Sequence, residues 1–484
     1  MKLYELFSDI CGCADVPNRE REVDLVTDSS RSEITSGTVF VCIKGGSFDG
    51  HAFAAQMLEK GAAVVVCEHS LGLENEIVVE NTRRTYGVLC AKLFGNPEKK
   101  TELVAVTGTN GKTTVTTLIS SILIACGRKT GLIGTIRSET NGSPVPDSGG
   151  NTTPFAYDFF RLLDRMAAEG CNNVVMEASS FGLVQERIGC ARFRVGVFTN
   201  LTQDHLDYHG DMESYYQAKK LLFMGKCDIA LINTDDEYGR RLYDEIDCEK
   251  YSYGISNADF TAANIKIKPD GLGFWLCYGS KSYQVSAHLT GVFNVLNLMA
   301  AIITCIKLGL STEEVISAAA DCTGVKGRCE IIPTGRDFTV ICDYAHTPDA
   351  LENILSNVRE LTKGKLICLF GCGGNRDAKK RPIMARAAEK YSDRLVVTSD
   401  NPRNEDPDDI IDEITAGLGS DAVYDRITDR REAIYHALAI AEAGDVIVLA
   451  GKGHEDYQIL SGGRHIHFDE RDVVADWLAA NPER

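Results

Sequence analysis

The chain has 484 residues, of which 44% are hydrophobic and 25% are charged, so it can bury sizeable cores and should fold as about three domains of roughly 150 residues each. Its formal net charge of −18 disfavours a nucleic-acid partner, because sequence-independent affinity for a polyanion needs a basic face. The amino-terminal segment lacks a signal-peptide pattern, and no apolar run approaches the roughly 18 residues of a membrane helix. We therefore expect a cytoplasmic protein without membrane insertion.

The 17 cysteines are an odd number in a long chain without a secretion pattern, which favours reduced thiols over a disulfide framework. Cys11 with Cys13 and His465 with His467 form two short pairs of metal-binding residue types. Neither pair has a second pair at the spacing of a zinc site, so we expect no zinc at either place.

Short apolar runs alternate with helical patterns, which predicts an α/β fold in three domains. Residues 1–101 form a small α/β domain that ends at a Gly-Asn-Pro turn signal. Residues 102–330 form a central P-loop-type mononucleotide-binding domain with a mostly parallel sheet. Residues 331–484 form a Rossmann-like α/β domain with three strand-then-loop units, and such sheets bind ligands at the carboxyl ends of their strands.

The run TGTNGKTT at residues 107–114 joins an apolar strand to a helix, so backbone N–H groups and the helix N-terminus converge at one point. Lys112 can reach the β- and γ-phosphates of a nucleotide, and the Thr113 hydroxyl can bind Mg²⁺. Val106 replaces the first glycine of the general P-loop pattern, which argues against an ordinary GTPase or motor ATPase. The residues predicted to bind ATP here are Gly108, Thr109, Asn110, Gly111, Lys112, Thr113 and Thr114.

This loop resembles that of the Mur ligases and their folylpolyglutamate synthetase relatives, and further motifs match in order over nearly the whole chain. The matching segments are EASS (177–180), TNLTQDHLDYHG (199–210), YYQAKKLLF (215–223), LTGVFNVLN (289–297), GRCE (327–330) and DYAHTPDAL (343–351). The resemblance implies a ligase that joins a carboxylate to an amine. ATP first converts the carboxylate to an acyl phosphate, which the amine then attacks.

The resemblance also implies roles for individual residues of the central domain. Glu177 follows an apolar strand and is expected to bind Mg²⁺, since hard cations prefer carboxylate oxygens. His205 is expected to assist near the γ-phosphate. Lys219 is expected to react with CO₂ to give a carbamate that supports Mg²⁺, although the sequence leaves its neighbour Lys220 open as the modified residue. The implied catalytic residues are Lys112, Glu177, His205 and Lys219, and the implied metal ligands are Thr113, Glu177 and the carbamate of Lys219.

The resemblance implies that further residues of this chain contact two of the substrates. Asn297, Arg328 and Asp343 match residues that contact the adenine, phosphates and ribose of ATP, which implies a hinged domain closure. A UDP-sugar-peptide is expected to bind Ser30, Thr152, Thr153, Ser179, Gln185 and Arg187. The spacing after TDSSR is one residue longer than the family pattern, so Ser29 stays an alternative to Ser30.

The motif DNPR at residues 400–403 resembles that of the family members that add meso-2,6-diaminopimelate. Arg403 offers a bidentate partner to the distal carboxylate of diaminopimelate and repels the bare ammonium of lysine. Asn-Pro also favours a plain turn, and the acidic DPDDI downstream predicts a helix start. The implied diaminopimelate-binding residues are Arg376, Asp400, Asn401, Pro402, Arg403, Gly451 and Glu455.

The expected protein is a monomeric, Mg²⁺-dependent ligase that takes ATP, UDP-MurNAc-L-Ala-D-Glu and meso-diaminopimelate in peptidoglycan precursor synthesis. Alternatives within the same superfamily are a lysine-adding or dipeptide-adding muramyl ligase and a folylpolyglutamate synthetase. An alternative of another class is a regulator in which ATP gates a partner surface. Such a regulator would not need Glu177, Lys219 and Arg403 together.

Overall fold

The computed structural model describes residues 1–10, 16–46, 48–146, 151–268 and 271–482, so Cys11 and Cys13 lie outside the described residues. It is a mixed α/β protein with mostly parallel sheets, as the sequence predicts. One unit comprises Met1–Asn200, Glu213–Tyr253 and Ala300–Ala318, and the other comprises Leu201–Met212, Gly254–Met299 and Ala319–Arg484. The domain boundaries given above stay a prediction.

The elements follow one another along the chain in an order that alternates strands with helices over most of its length. Up to residue 101 they are α1 (Leu3–Leu6), β1 (Leu25–Thr27), β2 (Thr38–Val41), α2 (Ala54–Glu59), β3 (Val64–Cys67), β4 (Glu76–Val78) and α3 (Thr82–Leu93). From there to residue 254 they are β5 (Glu102–Thr107), α4 (Lys112–Ala125), β6 (Thr130–Ile133), β7 (Ser138–Thr140), β8 (Ser143–Val145), α5 (Ala156–Ala168), β9 (Asn173–Glu177), α6 (Ser180–Val184), β10 (Phe193–Phe198), α7 (Leu206–His209), α8 (Met212–Lys220), β11 (Cys227–Asn233), α9 (Glu237–Glu245) and β12 (Glu249–Gly254).

Three antiparallel strands and two helices come next, followed by a second segment that alternates strands with helices. The strands and the two helices are β13 (Phe260–Lys268), β14 (Gly271–Tyr278), β15 (Lys281–Ala287), α10 (Val292–Lys307) and α11 (Thr312–Ala320). The last are β16 (Glu330–Ile332), β17 (Thr339–Asp343), α12 (Pro348–Leu361), β18 (Leu366–Phe370), α13 (Lys380–Tyr391), β19 (Arg394–Val397), α14 (Pro407–Thr415), β20 (Tyr424–Arg426), α15 (Arg430–Ile440), β21 (Val446–Ala450), β22 (Tyr457–Leu460), β23 (Arg464–His467) and α16 (Glu470–Ala480). In the described part of the chain, no helix combines the length and apolarity needed to span a bilayer.

The first unit contains two sheets. Strands β1 to β4 form a parallel sheet in sequence order, and the apolar runs of β2 and β3 are fully buried, as in parallel sheets covered on both faces. The second sheet has the order β12-β11-β10-β5-β9-β6-β7-β8, in which β12 to β6 are parallel. Val106 pairs with Glu177 and Thr107 pairs with Phe198, so the carboxyl ends of β9, β5 and β10 lie side by side.

The second unit contains the antiparallel meander β13-β14-β15, which the sequence analysis did not predict. It also contains a six-stranded sheet of order β16-β17-β21-β18-β19-β20, in which only β16 runs antiparallel among the described strands. Helices α12 to α14 pack on one face and α15 with α16 on the other. The apolar strand β18 contributes to both cores, since Cys368 packs on the side of α12 to α14 and Leu369 packs on the side of α15 and α16. This doubly wound layout confirms the predicted Rossmann-like architecture.

The second histidine pair lies in strand β23 of a small hairpin with β22. Within this pair, His467 contacts Asp472, whose carboxylate accepts from the ring Nε2 at 3.2 Å. No set of three or more His, Cys, Asp or Glu side chains suited to a metal ion occurs among the residues that the structure describes. The absence of zinc at His465 and His467 stays a prediction.

Candidate active site

The phosphate loop between β5 and α4 is held by the segment that follows β10. Gly108 has φ +153° and approaches Thr199 so closely that an added Cβ would lie 1.9 Å from the Thr199 hydroxyl oxygen. That hydroxyl donates to the carbonyl of Asn110 at 2.6 Å. Asn200 accepts the N–H of Thr109 with its carbonyl and the N–H of Asn110 with its side chain, both at 2.9 Å. The loop is therefore fixed by protein contacts on the side of β10.

Helix α4 begins at Lys112, immediately after Gly111 with φ +86°. The N-terminus of a helix carries a partial positive charge, which favours an anion at this end. Lys112 Nζ donates to the carbonyls of Gly108 at 3.0 Å and Thr109 at 2.8 Å. These contacts hold the ammonium against the loop, where a phosphate would offer it a charge-assisted hydrogen bond.

Glu177 ends β9 and is 1% exposed. Its Oε2 accepts from the hydroxyls of Thr113 and Thr135, each at 3.0 Å, and its Oε1 accepts the N–H of Thr135 at 2.8 Å. Buried carboxylate and hydroxyl oxygens side by side are hard donors of the kind Mg²⁺ prefers, and Mg²⁺ usually completes its shell with phosphate oxygens and water. The residues present therefore fit this ion. No motif had pointed to Thr135.

Lys219 lies in α8 and is 1% exposed. Its Nζ donates to the carbonyl of Gly108 at 2.7 Å and lies 4.6 Å from the ring centre of Tyr215. Lys220 instead pairs with Glu245 at 2.8 Å. Of the two lysines that the sequence left open, the structure places Lys219 at the phosphate loop.

Four of the residues predicted to bind the UDP-linked substrate form one hydrogen-bonded group around Thr153. Its hydroxyl donates to the carbonyl of Glu177 at 2.9 Å and accepts from the N–H of Ser179 at 2.9 Å. Its own carbonyl accepts from Arg187 at 2.8 Å, and the same guanidinium donates to Gln185 Oε1 at 2.9 and 3.0 Å. This group therefore adjoins the carboxylate that could hold Mg²⁺.

Two further predicted substrate contacts lie in the same unit. The hydroxyl oxygens of Thr152 and Thr135 lie 3.0 Å apart, at hydrogen-bonding distance, which ties Thr152 to the group around Glu177. Ser30 follows β1 and is half-buried. The hydroxyl of its neighbour Ser29 accepts the N–H of Arg31 at 3.3 Å in a local turn. Ser30 stays the predicted contact, with Ser29 as the alternative.

The second unit holds the other residues predicted to bind ATP. Asn297 is buried and donates to Asn294 Oδ1 at 3.0 Å. Asp343 ends β17, and burial raises its pKa although the charge of Arg328 acts in the opposite direction. A cavity of about 260 Å³ lies beside these residues. Its lining consists of His288, Leu289, Thr290, Asn294, Thr323, Gly324, Arg328, Cys329, Glu330 and Ile331.

His205 also lies in the second unit, at the start of the short helix α7. It has φ +54°, and its backbone N–H donates to Asp204 Oδ1 at 2.8 Å. The ring Nε2 is 3.4 Å from Asp204 Oδ2, and the side chain is 44% exposed. The imidazole is therefore accessible and has an acidic neighbour.

The loops predicted to bind the amino acid follow β18, β19 and β21, which are parallel neighbours, so they meet at one edge of the sheet. Asn401 donates to Glu455 Oε2 at 2.9 Å across two of these loops. Arg403 has φ +52° and donates to the carbonyl of Gly374, in the loop after β18, at 2.8 Å. Arg376 lies in the same loop after β18 and is exposed.

Gly451 and Pro402 complete the predicted set. Gly451 has φ +115°, and a Cβ there would lie 3.9 Å from the Asp400 carboxyl carbon, which places the two loops in close approach. Pro402 is buried, and its carbonyl would lie 1.9 Å from a Cβ on Gly374. The structure thus brings together the seven residues predicted to bind the amino acid on three loops.

Electrostatics in this cluster depend on a residue that sequence reasoning missed. Lys452 is fully buried, and its Nζ is 3.1 Å from Asp400 Oδ1. Burial alone would raise the pKa of Asp400, but the charges of Lys452 and Arg430 hold it below its usual value. The lysine was visible in the motif GKGHE, yet nothing in the sequence showed that it would be buried.

Family models match three parts of the chain: the Mur ligase family catalytic domain over residues 26–90, the Mur ligase middle domain over 106–305 and the Mur ligase glutamate ligase domain over 327–453. The chain is 43% identical to the UDP-N-acetylmuramoyl-L-alanyl-D-glutamate--2,6-diaminopimelate ligase of Syntrophomonas wolfei, with 99% of each covered. It is 41% identical to the enzyme of the same name from Bacillus cereus, with 98% of each covered.

Solved structures agree with these relatives. A structure of a UDP-N-acetylmuramoyl-L-alanyl-D-glutamate--2,6-diaminopimelate ligase matches with a TM-score of 0.73 and 31% identity over 100% of both chains. A MurF ligase from Thermotoga maritima in complex with ADP shares the fold, with a TM-score of 0.61 and 17% identity over 95% of this chain and 96% of that one. Because relatives above 40% identity span nearly all of both chains, this chain belongs to the Mur ligase family.

Proposed function

We propose that this Mur ligase adds meso-2,6-diaminopimelate to the γ-carboxylate of D-Glu in UDP-MurNAc-L-Ala-D-Glu, a step of peptidoglycan precursor synthesis. The observation that carries the proposal is the cluster of Arg403, Asn401 and Glu455 on neighbouring loops. It offers a guanidinium for a carboxylate and a carboxylate for an ammonium. Relatives that match the whole chain bear the name of this activity.

The reaction forms one amide bond and consumes one ATP. An oxygen of the D-Glu carboxylate attacks the γ-phosphorus, and ADP leaves with the bridging oxygen. The amine then attacks the acyl carbon, phosphate leaves with the electrons of the C–O bond, and the nitrogen loses a proton. Lys112 and the N-terminus of α4 supply fixed positive charge for the phosphates as their charge moves.

We infer that Thr113, Glu177 and a carbamate on Lys219 hold Mg²⁺, which when bound offsets the negative charge of the triphosphate. Asn297, Arg328 and Asp343 would contact the nucleotide, and His205 would act near the γ-phosphate. The shared burial of Thr113 and Glu177, with their oxygens 3.0 Å apart, supports the metal proposal.

The UDP-linked substrate would bind in the first unit. Thr153, Ser179 and Arg187 form one hydrogen-bonded group with Glu177. A substrate held by this group, together with Ser30, Thr152 and Gln185, would present its carboxylate beside the phosphate loop. Hydroxyl, amide and guanidinium groups suit a pyrophosphate and peptide carboxylates.

The amine is selected in the second unit. Arg403 would bind the distal carboxylate of diaminopimelate, and an arginine at that place disfavours the bare ammonium of lysine. We place the activity in the cytoplasm, because ATP and a UDP-linked precursor are available there. We infer a monomer, since one chain supplies every group of predicted contacts.

The proposal is tested by incubating the protein with UDP-MurNAc-L-Ala-D-Glu, ATP and Mg²⁺, with either meso-diaminopimelate or L-lysine, and measuring phosphate release. We expect turnover with diaminopimelate and little with lysine. Equal or faster turnover with lysine would refute the specificity and favour a lysine-adding enzyme. Absence of turnover with both amines would refute the reaction itself.

A further inference from the structure

A fully buried lysine lies beneath the two acidic residues of the amino-acid loops. Lys452 Nζ donates to Asn401 Oδ1 at 2.9 Å and to Glu455 Oε2 at 3.3 Å, and it lies 3.1 Å from Asp400 Oδ1. We propose that Lys452 is a positioning residue that holds Asp400 and Glu455 in the orientation that accepts the non-reacting ammonium of the substrate. This inference rests on the proposed function and deepens it.

The first support is the balance of buried charge. Arg430 also acts on Asp400, but it is fully buried and paired with the fully buried Glu470 at 2.7 Å. Arg430 and Glu470 together add no net charge to the cluster. Asp400 and Glu455 then carry two negative charges against the single positive charge of Lys452. One negative charge is left over, which matches one incoming ammonium.

The second support is an open acceptor. Asp400 Oδ1 is buried, and no group among the described residues donates a hydrogen bond to it with suitable geometry, although Lys452 lies close. A buried carboxylate oxygen with unused capacity is costly unless a ligand fills it. A substrate ammonium, which has three N–H donors, can supply this bond.

The third support is the orientation of Asn401. Its side-chain oxygen accepts from Lys452 Nζ at 2.9 Å and from the N–H of Ile459 at 2.9 Å. The amide nitrogen must then face Glu455, to which it donates at 2.9 Å. Lys452 therefore fixes the amide, and the amide fixes the carboxylate of Glu455.

Loss of Lys452 would leave two carboxylates close together without their buried counter-charge. Asp400, Asn401 and Glu455 would also lose the shared contact that fixes their side chains. Carboxylates that are no longer held in place are poorer partners for an ammonium. The affinity for an amino acid with a second ammonium should fall, whereas binding of the distal carboxylate by Arg403 should persist.

The test compares wild type, Lys452→Met and Lys452→Gln with two substrates. One is meso-diaminopimelate, and the other is 2-aminopimelate, which keeps the reacting amine and the distal carboxylate but lacks the second ammonium. For both variants we expect the KM for meso-diaminopimelate to rise about tenfold to hundredfold, because the loss of a hydrogen bond between charged groups has an effect of this size. The KM for 2-aminopimelate and the kcat at saturation should change little. Lys363→Met, which alters an exposed lysine, is the control and should match wild type.

An unchanged preference for meso-diaminopimelate in folded Lys452 variants would overturn the proposal, as would equal losses with both substrates. If the Lys452 variants do not unfold cooperatively, Asp400→Asn carries the test, because its side chain has the same shape without the charge. The proposal expects this variant to lose its preference for the second ammonium, and a retained preference would refute it. Failure of the proposed function is recognised separately, since wild type would then release no phosphate with diaminopimelate.

Discussion

Lys112 and Lys219 donate to the same atom, the carbonyl oxygen of Gly108, at 3.0 and 2.7 Å. The first lysine begins α4 and the second lies near the end of α8, so the fold brings two ammonium groups to one turn of the phosphate loop. Two ammonium groups that share one acceptor lie close together and repel each other, most strongly where solvent is excluded. Conversion of Lys219 to a carbamate would replace that repulsion with attraction.

The first prediction concerns this lysine. Lys219→Ala should lower kcat about a hundredfold or more, because an anionic group that supports the metal would be lost. Formate or acetate should restore part of the activity if the missing group is a carboxylate-like carbamate. The measurement is phosphate release with and without the added acid.

Lys220→Ala is the matched control, since Lys220 pairs with Glu245 and not with the phosphate loop. It should retain most of the wild-type rate and show no response to formate. Full activity in Lys219→Ala would remove this residue from the mechanism. A loss that no small acid relieves would argue for the unmodified amine as the acting group.

The second prediction concerns Glu177, whose carboxylate accepts from the hydroxyls of Thr113 and Thr135. Glu177→Gln preserves shape but removes the charge, so the Mg²⁺ concentration that gives half-maximal rate should rise about tenfold to hundredfold. A Mg²⁺ titration of phosphate release measures this. Glu237→Gln, in the first turn of α9, should titrate like wild type. An unshifted titration in the Glu177 variant would exclude it as a ligand.

The sequence predicted those parts of the site that are continuous in the chain. The phosphate loop, Glu177 at the end of a strand and the DNPR motif each join an apolar strand to polar residues, so their position at a strand end follows from local pattern. The apolar strands and the helix that starts at Pro407 also follow from local pattern, and Asp406 caps that helix as the acidic run indicates. These features depend on neighbours in sequence alone.

Other features depend on tertiary contacts and could not be predicted. Thr135 donates twice to Glu177 from a loop without a motif, and Asn200 holds the phosphate loop from a different strand. Lys452 is fully buried, and its partners Asp400 and Glu455 lie on the loops after β19 and β21, which are far apart in the sequence. The meander β13-β15 is a different case, because the alternating stretches NIKIK in β13 and SYQVSA in β15 carry a strand signal that the sequence analysis did not use.

The third prediction concerns the choice of amine. Arg403→Ala should raise the KM for meso-diaminopimelate about tenfold to hundredfold, the effect of losing a hydrogen bond between charged groups. The ratio of kcat/KM for diaminopimelate to that for L-lysine should fall by a similar factor, since the repulsion of lysine disappears too. The KM and the ratio are both obtained from phosphate release with each amine. The exposed Arg464→Ala is the control, and an unchanged ratio in Arg403→Ala would contradict its role.

The fourth prediction concerns the buried pair of Arg430 and Glu470. Arg430 also donates to the carbonyls of Ser399 at 3.2 Å and Ala450 at 2.8 Å, which lie just before two of the three amino-acid loops. Arg430→Met leaves Glu470 buried without its counter-charge, so the free energy of unfolding should fall by about 3–5 kcal/mol. Urea unfolding measures the loss. The double variant Arg430→Met with Glu470→Met should be more stable than the single one, and a loss below about 1 kcal/mol in the single variant would contradict the argument.

The fifth prediction concerns pH and His454, whose pKa is lowered to about 4 by burial and by the charges of Arg328 and Arg471. An unfolded histidine binds its proton near pH 6.5, so between about pH 6.5 and 4 the unfolded state binds more protons than the native one. The free energy of unfolding should therefore decrease as the pH falls through this range, with a share from His454 on the order of 1–2 kcal/mol once its partial exposure is considered. Urea unfolding at pH 7.5 and 5.0 should show a smaller decrease for His454→Gln than for wild type, whereas His465→Gln, at an exposed site, should follow wild type. An equal decrease in wild type and His454→Gln would show that other groups cause the acid sensitivity.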